Sequence, residues 1–398
     1  MSAMTNFSRI ENIEQRLFYY ICGFSFFLPL SIAVGNIFLT LSLFGLAHRL
    51  MRKHDDVAEN LRRYRKIFLV ILALILAVFF SALTSGFVLE GIKRFAERYI
   101  YHIAILFPVF LVRYRKEQII FLVKCLLAGM FFCHLSVIFQ AVSHLSEESW
   151  RFGGVLDIMP QGTLLTMSLP IYALLFMHLK RQRFWALTAL TVGIGALILN
   201  GTRGAWLATL ILSPTVILLY SKKKLKSLSV ILSVLILIGG IFAVTPRLSD
   251  RFATITDMNM QSNAERMKMW QSAFNMFEDY PIFGVGYGQY ATAYQTKYIL
   301  PTAQERFQTH AHNNLIQMLA ECGSVGFSAF IFMWIYFSYF SLRGWLRKKN
   351  FACLLFFCVL SGLMLHGLTE FNFETAIPSK IFWYSLGLCL AYCRIKND

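Results

Sequence analysis

The sequence predicts an all-helical, polytopic membrane protein, and three observations lead to this fold class. Of its 398 residues, 57% are hydrophobic and only 15% are charged, whereas about a quarter of a soluble domain is charged. Apolar runs of about 17–25 residues, the length that a helix needs to cross a bilayer, recur from end to end. These runs are continuous, unlike the alternating strands of a membrane barrel, so the spans are predicted to be helices.

About twelve of these runs are predicted to cross the membrane, and about nine of them precede the one long polar segment. This order divides the chain into a membrane region at 1–245, a loop domain at 246–311 and a second membrane region of about three helices at 312–398. The predicted spans lie at 17–32, 33–48, 67–85, 99–112, 118–140, 161–179, 184–201, 203–220, 228–245, 312–342, 351–368 and 380–393.

The net charge of +17 is explained by topology and requires no nucleic-acid partner. Lysine and arginine gather in alternate connections, and positively charged connections stay in the cytoplasm. Both termini are therefore predicted to be cytoplasmic, with the long loop between spans nine and ten on the outer side. The basic connections lie at 49–66, 113–116, 180–183, 222–226 and 343–349.

Several chemistries are excluded by what the sequence lacks. It has no Asp-x-Asp pair on the outer side, no Walker-type loop and no serine nucleophile elbow. We therefore predict no metal and no cofactor, and the energy for a transfer at the outer face would come with the donor, as in a lipid diphosphate. No cysteine has metal-site spacing with a histidine, so we expect free, buried thiols. The cysteines are Cys22, Cys125, Cys133, Cys322, Cys353, Cys358, Cys389 and Cys393.

Two helices are predicted to begin at the outer face, one after Arg203 and the other after His312. Free N–H groups and the helix dipole make such ends favourable for anions. An arginine between two apolar helices is costly unless it has a partner or a role, and its guanidinium binds phosphate with two parallel hydrogen bonds. We therefore expect Arg203 to contribute to a diphosphate site, although an arginine extending to the membrane interface is the alternative.

His312 is the candidate general base. A neutral imidazole that titrates near physiological pH can take a proton from a sugar hydroxyl. Asn313 and Asn314 follow it and can cap the helix, and Asn314 could instead hold the imidazole. His310 is the second candidate, and we expect it to point elsewhere once the helix begins.

The long loop contributes one further candidate arginine. Met267, Trp270, Phe274 and Phe277 have helical spacing and predict an amphipathic helix over 265–277. Arg266 lies one turn before Trp270, where it could stack on the ring or face a phosphate. The alternative is a solvated charge.

Glycines mark two further positions. Gly284, Gly286 and Gly288 alternate after a proline, which favours a structural turn in which the backbone comes close to another segment and is only a weak nucleotide-binding signal. Glu321 lies within span ten beside glycines that favour close helix packing. This carboxyl group must pair or face a polar cavity.

The order of these motifs resembles the O-antigen ligase superfamily. The residues that support the resemblance are a Thr-Arg-Gly-Ala-Trp helix start, one large outer loop, a Pro-x-x-Gly-x-Gly-x-Gly turn and a closing His-Asn-x-Leu…Glu-x-Gly-x-x-Gly. Together they cover roughly residues 200–330. The N-terminal half of the chain matches this superfamily in hydropathy alone.

The resemblance implies a GT-C-type glycosyltransferase that works at the periplasmic face of the bacterial inner membrane. It implies transfer of a glycan from undecaprenyl diphosphate to the outer-core sugar of lipid A–core, without a metal and with inversion at the anomeric carbon. His312 is implied as the general base, and Arg203 and Arg266 as the diphosphate-binding arginines. Such proteins carry a further arginine after the glycine turn, but here the nearest basic residues are Lys297 and Arg306.

Three alternatives remain open at this point. An O-antigen polymerase or a protein O-oligosaccharyltransferase would share the same histidine and arginines. A transporter of the lipid-linked glycan would need charges along a path through the bilayer, and the spans hold few, mainly Lys124 and Glu321. The sequence therefore favours a membrane enzyme with lipid substrates, and it leaves the glycan, the core sugar and the oligomeric state open.

Overall fold

The structure is a computed structural model that describes residues 2–52, 57–144, 151–257 and 259–395, and every regular element in these ranges is helical. The helices are α1 Ser2–Phe27, α2 Ile32–Arg52, α3 Val57–Arg63, α4 Arg65–Thr84, α5 Val88–Phe95, α6 Tyr101–Ile103, α7 Leu106–Phe110, α8 Lys116–Ser143, α9 Ile158–His178, α10 Arg183–Asn200, α11 Arg203–Tyr220, α12 Lys224–Val244, α13 Pro246–Ala253, α14 Gln261–Asp279, α15 Tyr290–Ala293, α16 Asn314–Lys348, α17 Phe351–Gly367 and α18 Ala376–Ile395. Two π-helical turns, Ala96–Ile100 and Tyr294–Tyr298, adjoin α5 and α15.

Eight of the described helices are long and apolar enough to cross a membrane, which supports the predicted polytopic helical class. They are α2, α4, α8, α9, α10, α11, α12 and α16, and α17 is a shorter apolar helix. The count of about twelve spans stays a prediction.

The predicted span 99–112 is wrong as one continuous helix. Its residues are divided among the first π turn, α6 and α7, with a break at Ala104 and Ile105. Pro108 explains the break, because a proline ring clashes with the carbonyl four residues earlier and its nitrogen has no hydrogen to donate. That carbonyl belongs to Ala104.

The core of the bundle is built around α9. Every residue from Gln161 to Leu174 is buried, and α9 packs against α10, α11 and α17. A helix that is buried on all sides needs no polar face. By contrast, Ile231 is the one buried residue of α12, so this helix presents an apolar surface of the kind that faces lipid.

The long helix α16 is broken at Gly323. This residue has φ 60° and ψ −161°, which divides α16 into an N-terminal half-helix and a longer C-terminal part. The turn at Pro281 fills the break, because Ser324 N donates to Pro281 O at 2.8 Å and Val325 N donates to Ile282 O at 3.2 Å. The predicted span 312–342 is therefore corrected in two respects, since the helix extends to Lys348 and is interrupted near its start.

The segment 246–311 contains α13, α14, α15 and the second π turn. The predicted loop helix is present as α14, which packs against α16. Its predicted apolar face is partly wrong: Trp270 packs against the buried cluster, but Met267 and Phe274 are exposed while Met269 and Met276 are buried. Polar contacts select the buried side, because Glu265 accepts hydrogen bonds at 3.1 Å from the backbone N–H groups that follow Ala303.

Candidate active site

His312 lies just before α16 in a strained backbone conformation. Its φ of 50° is in the left-handed region, which is costly for a residue with a side chain and is found mostly at functional sites. The preceding peptide is held from both sides. Ala311 N donates to Gln317 Oε1 at 2.7 Å, and Trp270 Nε1 donates to Ala311 O at 2.9 Å. The structure therefore fixes the imidazole at the entrance of the half-helix.

The imidazole of His312 contacts a carboxylate from the connection between α17 and α18. Its Nδ1 lies 3.1 Å from Glu370 Oε1 and 3.2 Å from Glu370 Oε2. An ionised carboxylate can only accept hydrogen bonds, so Nδ1 carries the proton and donates. In the neutral ring Nε2 is then the basic nitrogen. The contact thus selects the tautomer that a general base requires.

Glu370 is ionised despite its burial. Burial alone would raise the pKa of this carboxyl group, but the hydrogen bond from His312 and the charges of His312, His310 and His366 lower it to about 2. The expectation that His310 points elsewhere is wrong, because its ring centroid lies 4.2 Å from that of His312. Burial, followed by the charge of His312, lowers the pKa of His310 to about 4, so this second histidine is neutral at physiological pH.

Two asparagines attach the Glu370 connection to α16. Asn313 caps the helix by accepting hydrogen bonds from the N–H groups of the first turn, and its Nδ2 donates to Leu368 O at 2.8 Å. We predicted that Asn314 caps the helix or holds the imidazole, and this was wrong. Its side chain instead donates to Asn372 Oδ1 at 2.8 Å and accepts from Asn372 N at 3.0 Å. This asparagine pair fixes the connection that carries Glu370.

Arg203 is the first residue of α11 and is 9% exposed. Its guanidinium donates to Ser262 Oγ and Asn263 Oδ1, each at 2.9 Å, and also to the Thr254 carbonyl. Each of these acceptors is neutral, so they orient the guanidinium without cancelling its charge. The charge remains available to an anion.

Two observations place the start of α11 and Arg266 beside the connection that holds Glu370. A side chain at Gly204 would overlap Thr369 Oγ1, so the start of α11 lies directly against this connection. Arg266 of α14 reaches the same carboxylate, with Nη2 3.8 Å from Glu370 Oε2. The structure therefore brings together Arg203, Arg266 and His312, which are spread over more than 100 positions of the sequence.

Two arginines at this site were missed by the sequence analysis. Arg151 donates to Thr202 Oγ1 at 3.5 Å, and Arg251 Nε donates to Gly201 O at 3.2 Å, so both contact the residues that precede Arg203. Burial, followed by the charges of Arg251, Arg203 and Arg266, lowers the pKa of Arg151 to about 10. Four guanidinium groups thus gather beside a single ionised glutamate.

The Nε atom of Arg151 is an unused donor. It is buried and meets no hydrogen-bond partner within the described ranges. A buried donor that lacks a partner costs about 1–3 kcal/mol, and a bound anion would remove that cost. The only sequence signal for Arg151 was its own positive charge in the outer connection before α9.

The glycine turn and Glu321 form a separate structural unit. Gly286 and Gly288 have φ values of 102° and 76°, and added side chains there would meet Ser85 and Arg94. Glu321 Oε1 accepts a hydrogen bond from Tyr290 N at 2.9 Å. The structure confirms the predicted turn, and Glu321 contacts this turn.

Of the two candidates for a third phosphate contact, Lys297 lies away from the arginines. Lys297 pairs with Asp279 at 2.6 Å, and Asp279 is the last residue of α14. At 1.5 Å per residue, the C-terminus of α14 is roughly 20 Å from Arg266 along the helix. Arg306 is exposed and follows the two N–H groups that bind Glu265. Arg151 and Arg251, by contrast, contact the residues that precede Arg203.

Three side chains at the site could together hold a cation. The ligand atoms of His310, His312 and Glu370 lie within 4.8 Å of one another. Two imidazoles and a carboxylate are a donor set that suits a transition metal. The metal-free reaction stays a prediction, and a chelator can test it.

The fold and the site define a polytopic membrane protein in which an imidazole–carboxylate pair faces a group of arginines. This arrangement can accept a proton from a hydroxyl group and bind a strongly charged anion beside it. A family model described as O-antigen ligase matches residues 186–331, a little over a third of the chain. The match confirms the resemblance to the O-antigen ligase superfamily.

The matched segment contains Arg203, Arg266 and His312, whereas Arg151 and Glu370 lie outside it. Proteins of this family are membrane enzymes similar to glycosyltransferases. No curated protein matches the chain.

Proposed function

We propose that the chain is an O-antigen ligase that transfers a glycan from undecaprenyl diphosphate to the outer-core sugar of lipid A–core. The observation that carries the proposal is the His312–Glu370 pair beside Arg203 and Arg266. The family match supports the superfamily, and the chemistry of these side chains supports a glycan transfer from a diphosphate donor.

The proposed reaction is a single displacement. His312 Nε2 takes the proton of the acceptor hydroxyl while that oxygen forms a bond to the anomeric carbon of the donor sugar. The bond between this carbon and the diphosphate oxygen breaks, and the electron pair leaves with the diphosphate. Attack from the face opposite the leaving group inverts the anomeric configuration. Glu370 stabilises the imidazolium that forms on His312, as a buried carboxylate does in other acid–base pairs.

The arginines have the second role in the proposal. Negative charge grows on the diphosphate as the sugar–oxygen bond breaks, and donors that are already in position stabilise this charge without reorganisation. Arg203 is held by neutral acceptors, and Arg266 Nη2 lies 3.8 Å from Glu370 Oε2. One guanidinium group can bind two phosphate oxygens through two parallel hydrogen bonds, so this role requires no metal ion.

The proposal includes the site's location in the cell. The helix starts at Arg203 and His312 are predicted to face the periplasm, with both termini in the cytoplasm and the chain in the bacterial inner membrane. A GT-C architecture of about twelve spans, with domains at 1–245, 246–311 and 312–398, belongs to the same proposal.

The proposal can be tested by analysis of the products. Membranes that lack the native activity would receive this protein, an undecaprenyl-diphosphate glycan and lipid A–core, with His312→Ala as the parallel variant. We expect glycan-bearing lipopolysaccharide with the wild-type protein and none with His312→Ala at equal protein amounts. Longer lipid-linked glycan without transfer to the core would show a polymerase. The absence of both products would refute the glycosyltransferase.

A further inference from the structure

Three buried cysteines converge at the end of the bundle opposite the arginines. Cys353 lies in the first turn of α17, and Cys389 and Cys393 lie one turn apart near the end of α18. Each is at most 8% exposed. Their sulfur atoms lie within 4.8 Å of one another. We call these three residues the thiol cluster.

The sulfur separations match those of thiolates that share one metal ion. Cys353 Sγ lies 3.6 Å from Cys393 Sγ and 3.8 Å from Cys389 Sγ. Two thiolates at about 2.3 Å from a tetrahedral zinc ion are about 3.8 Å apart. All eight cysteines of the chain are free. Two of the three sulfur separations therefore match those of a tetrahedral metal site, and the third is within 4.8 Å.

Two polar groups lie beside the thiol cluster. Asn350 Nδ2 donates to Cys393 Sγ at 3.2 Å, and hydrogen bonds of this kind orient and stabilise metal ligands. Lys348, near the end of α16, lies close enough to act electrostatically on both Cys353 and Cys393. Gly344 packs so closely that a side chain there would meet Cys353 Sγ at 2.5 Å. A positive charge and a polar N–H group thus face the sulfur atoms.

The predicted topology places the thiol cluster in a reducing compartment. The connection 343–349 is predicted to be cytoplasmic because of its basic residues. Thiols stay reduced there, and clustered cysteines in such a compartment are more often metal ligands than disulfides.

We propose that Cys353, Cys389 and Cys393 bind one thiophilic d¹⁰ cation, Zn²⁺ or Cu⁺, at the cytoplasmic ends of α17 and α18. Soft thiolate ligands select these ions. Each thiol that binds releases its proton to solvent, and a fourth position is left for a small ligand. The ion would join two helices of the C-terminal membrane region, and the site is independent of the proposed glycan transfer.

The test measures metal binding by the full chain in detergent. Reduced protein would be loaded with Zn²⁺ in one arm and with Cu⁺ in the other, desalted and analysed for metal per chain. We expect one bound ion in at least one arm, and the arm that retains it identifies the ion. Binding should be at least about tenfold weaker in Cys393→Ser and Cys389→Ser.

Cys358→Ser is the matched control, since Cys358 is also buried on α17 and lies outside the thiol cluster. It should bind the ion like the wild-type protein. Equal loss of the ion in Cys358→Ser and Cys393→Ser, or no retained ion in the wild-type protein, would overturn the proposal.

A second measurement does not depend on how the variants fold. In the wild-type protein, loading with the metal should slow alkylation of the three cluster thiols, and a chelator should restore the rate. Alkylation that is unaffected by the metal would also overturn the proposal.

Discussion

At the scale of single residues, the chemistry of the site depends on one contact between an imidazole and a carboxylate. Glu370 is held ionised, with its pKa lowered from 4.5 to about 2, so it accepts the Nδ1 proton of His312 throughout the physiological range. The folded-state pKa is below the unfolded value. Glu370 therefore stabilises the fold fully above about pH 4.5, and this contribution is lost as the pH falls through about 2.

We predict that Glu370→Gln lowers the rate constant for transfer by about 10²–10⁴-fold. The amide keeps the shape of the side chain, but its NH₂ group can donate to Nδ1 and favour the tautomer in which Nε2 is no longer basic. Glu374→Gln is the control in the same connection. Burial raises the pKa of Glu374 to about 8, so this group is mostly neutral at pH 7 and an amide resembles it. Equal rates for Glu370→Gln and the wild-type protein would remove Glu370 from the mechanism.

Arg151 gives a second prediction at the residue scale. Its unpartnered Nε would gain a phosphate oxygen on donor binding, and a hydrogen bond between charged groups contributes about 1.5–3 kcal/mol. We therefore expect Arg151→Gln to raise the KM for the lipid-diphosphate donor about tenfold or more, with a smaller effect on kcat. Arg183→Gln removes the same charge at the other end of α10, about 27 Å away. If both variants had the KM of the wild-type protein, Arg151 would not contact the donor.

At the scale of elements, the break in α16 positions the histidine. The half-helix Asn314–Cys322 is held by the turn at Pro281, whose carbonyl accepts from Ser324 N at 2.8 Å. Only glycine permits this contact, because φ at position 323 is 60° and a side chain there would overlap Ile282 O. The loop region, through its turn at Pro281, is thus hydrogen-bonded to the backbone of the membrane helix α16.

We predict that Gly323→Ala destabilises the protein by about 1–3 kcal/mol from backbone strain alone, and by more if the turn must move. The expected result is a lower midpoint of thermal unfolding in detergent, together with reduced transfer. Gly239→Ala in α12 is the matched control, since no atom lies within 4 Å of the added methyl group. An unchanged midpoint in Gly323→Ala would show that the break can be rebuilt without cost.

The elements also show how far the sequence could predict the structure. The starts of α11 and α16 and the glycine turn could be predicted, because each has a local signal in polarity or in glycine spacing. Glu370 could not, because it meets His312 across 58 residues and no local pattern records that contact. The predicted buried face of α14 was wrong in part for a similar reason, because contacts with the backbone after Ala303 determine which side is buried.

At the scale of the whole molecule, the site joins the two membrane regions through the loop. Arg203 belongs to α11, Arg266 to α14, and Glu370 to the connection before α18, while α9 fills the centre of the bundle. A site assembled from such distant segments exists only in the folded chain. Its charges are four arginines beside one glutamate, so a strongly anionic ligand should stabilise the whole fold.

The absence of a metal requirement can be tested on the whole protein. We predict that EDTA leaves the transfer rate unchanged, because the arginines supply the charge that a cation would otherwise supply. The assay should include the Cys393→Ser variant, so that a metal at the thiol cluster does not contribute. Inhibition that a divalent cation reverses would contradict this prediction and assign a cation to His310, His312 and Glu370.

The most direct test separates donor binding from transfer in His312→Ala. The Kd for the lipid-diphosphate donor and the single-turnover rate of transfer would be measured on the same purified protein in lipid nanodiscs. If His312 is a general base that does not bind the diphosphate, His312→Ala should leave the Kd unchanged and show no detectable transfer. Transfer at the wild-type rate, or loss of donor binding in His312→Ala, would contradict the assignment of His312 as the base beside an arginine-lined diphosphate site.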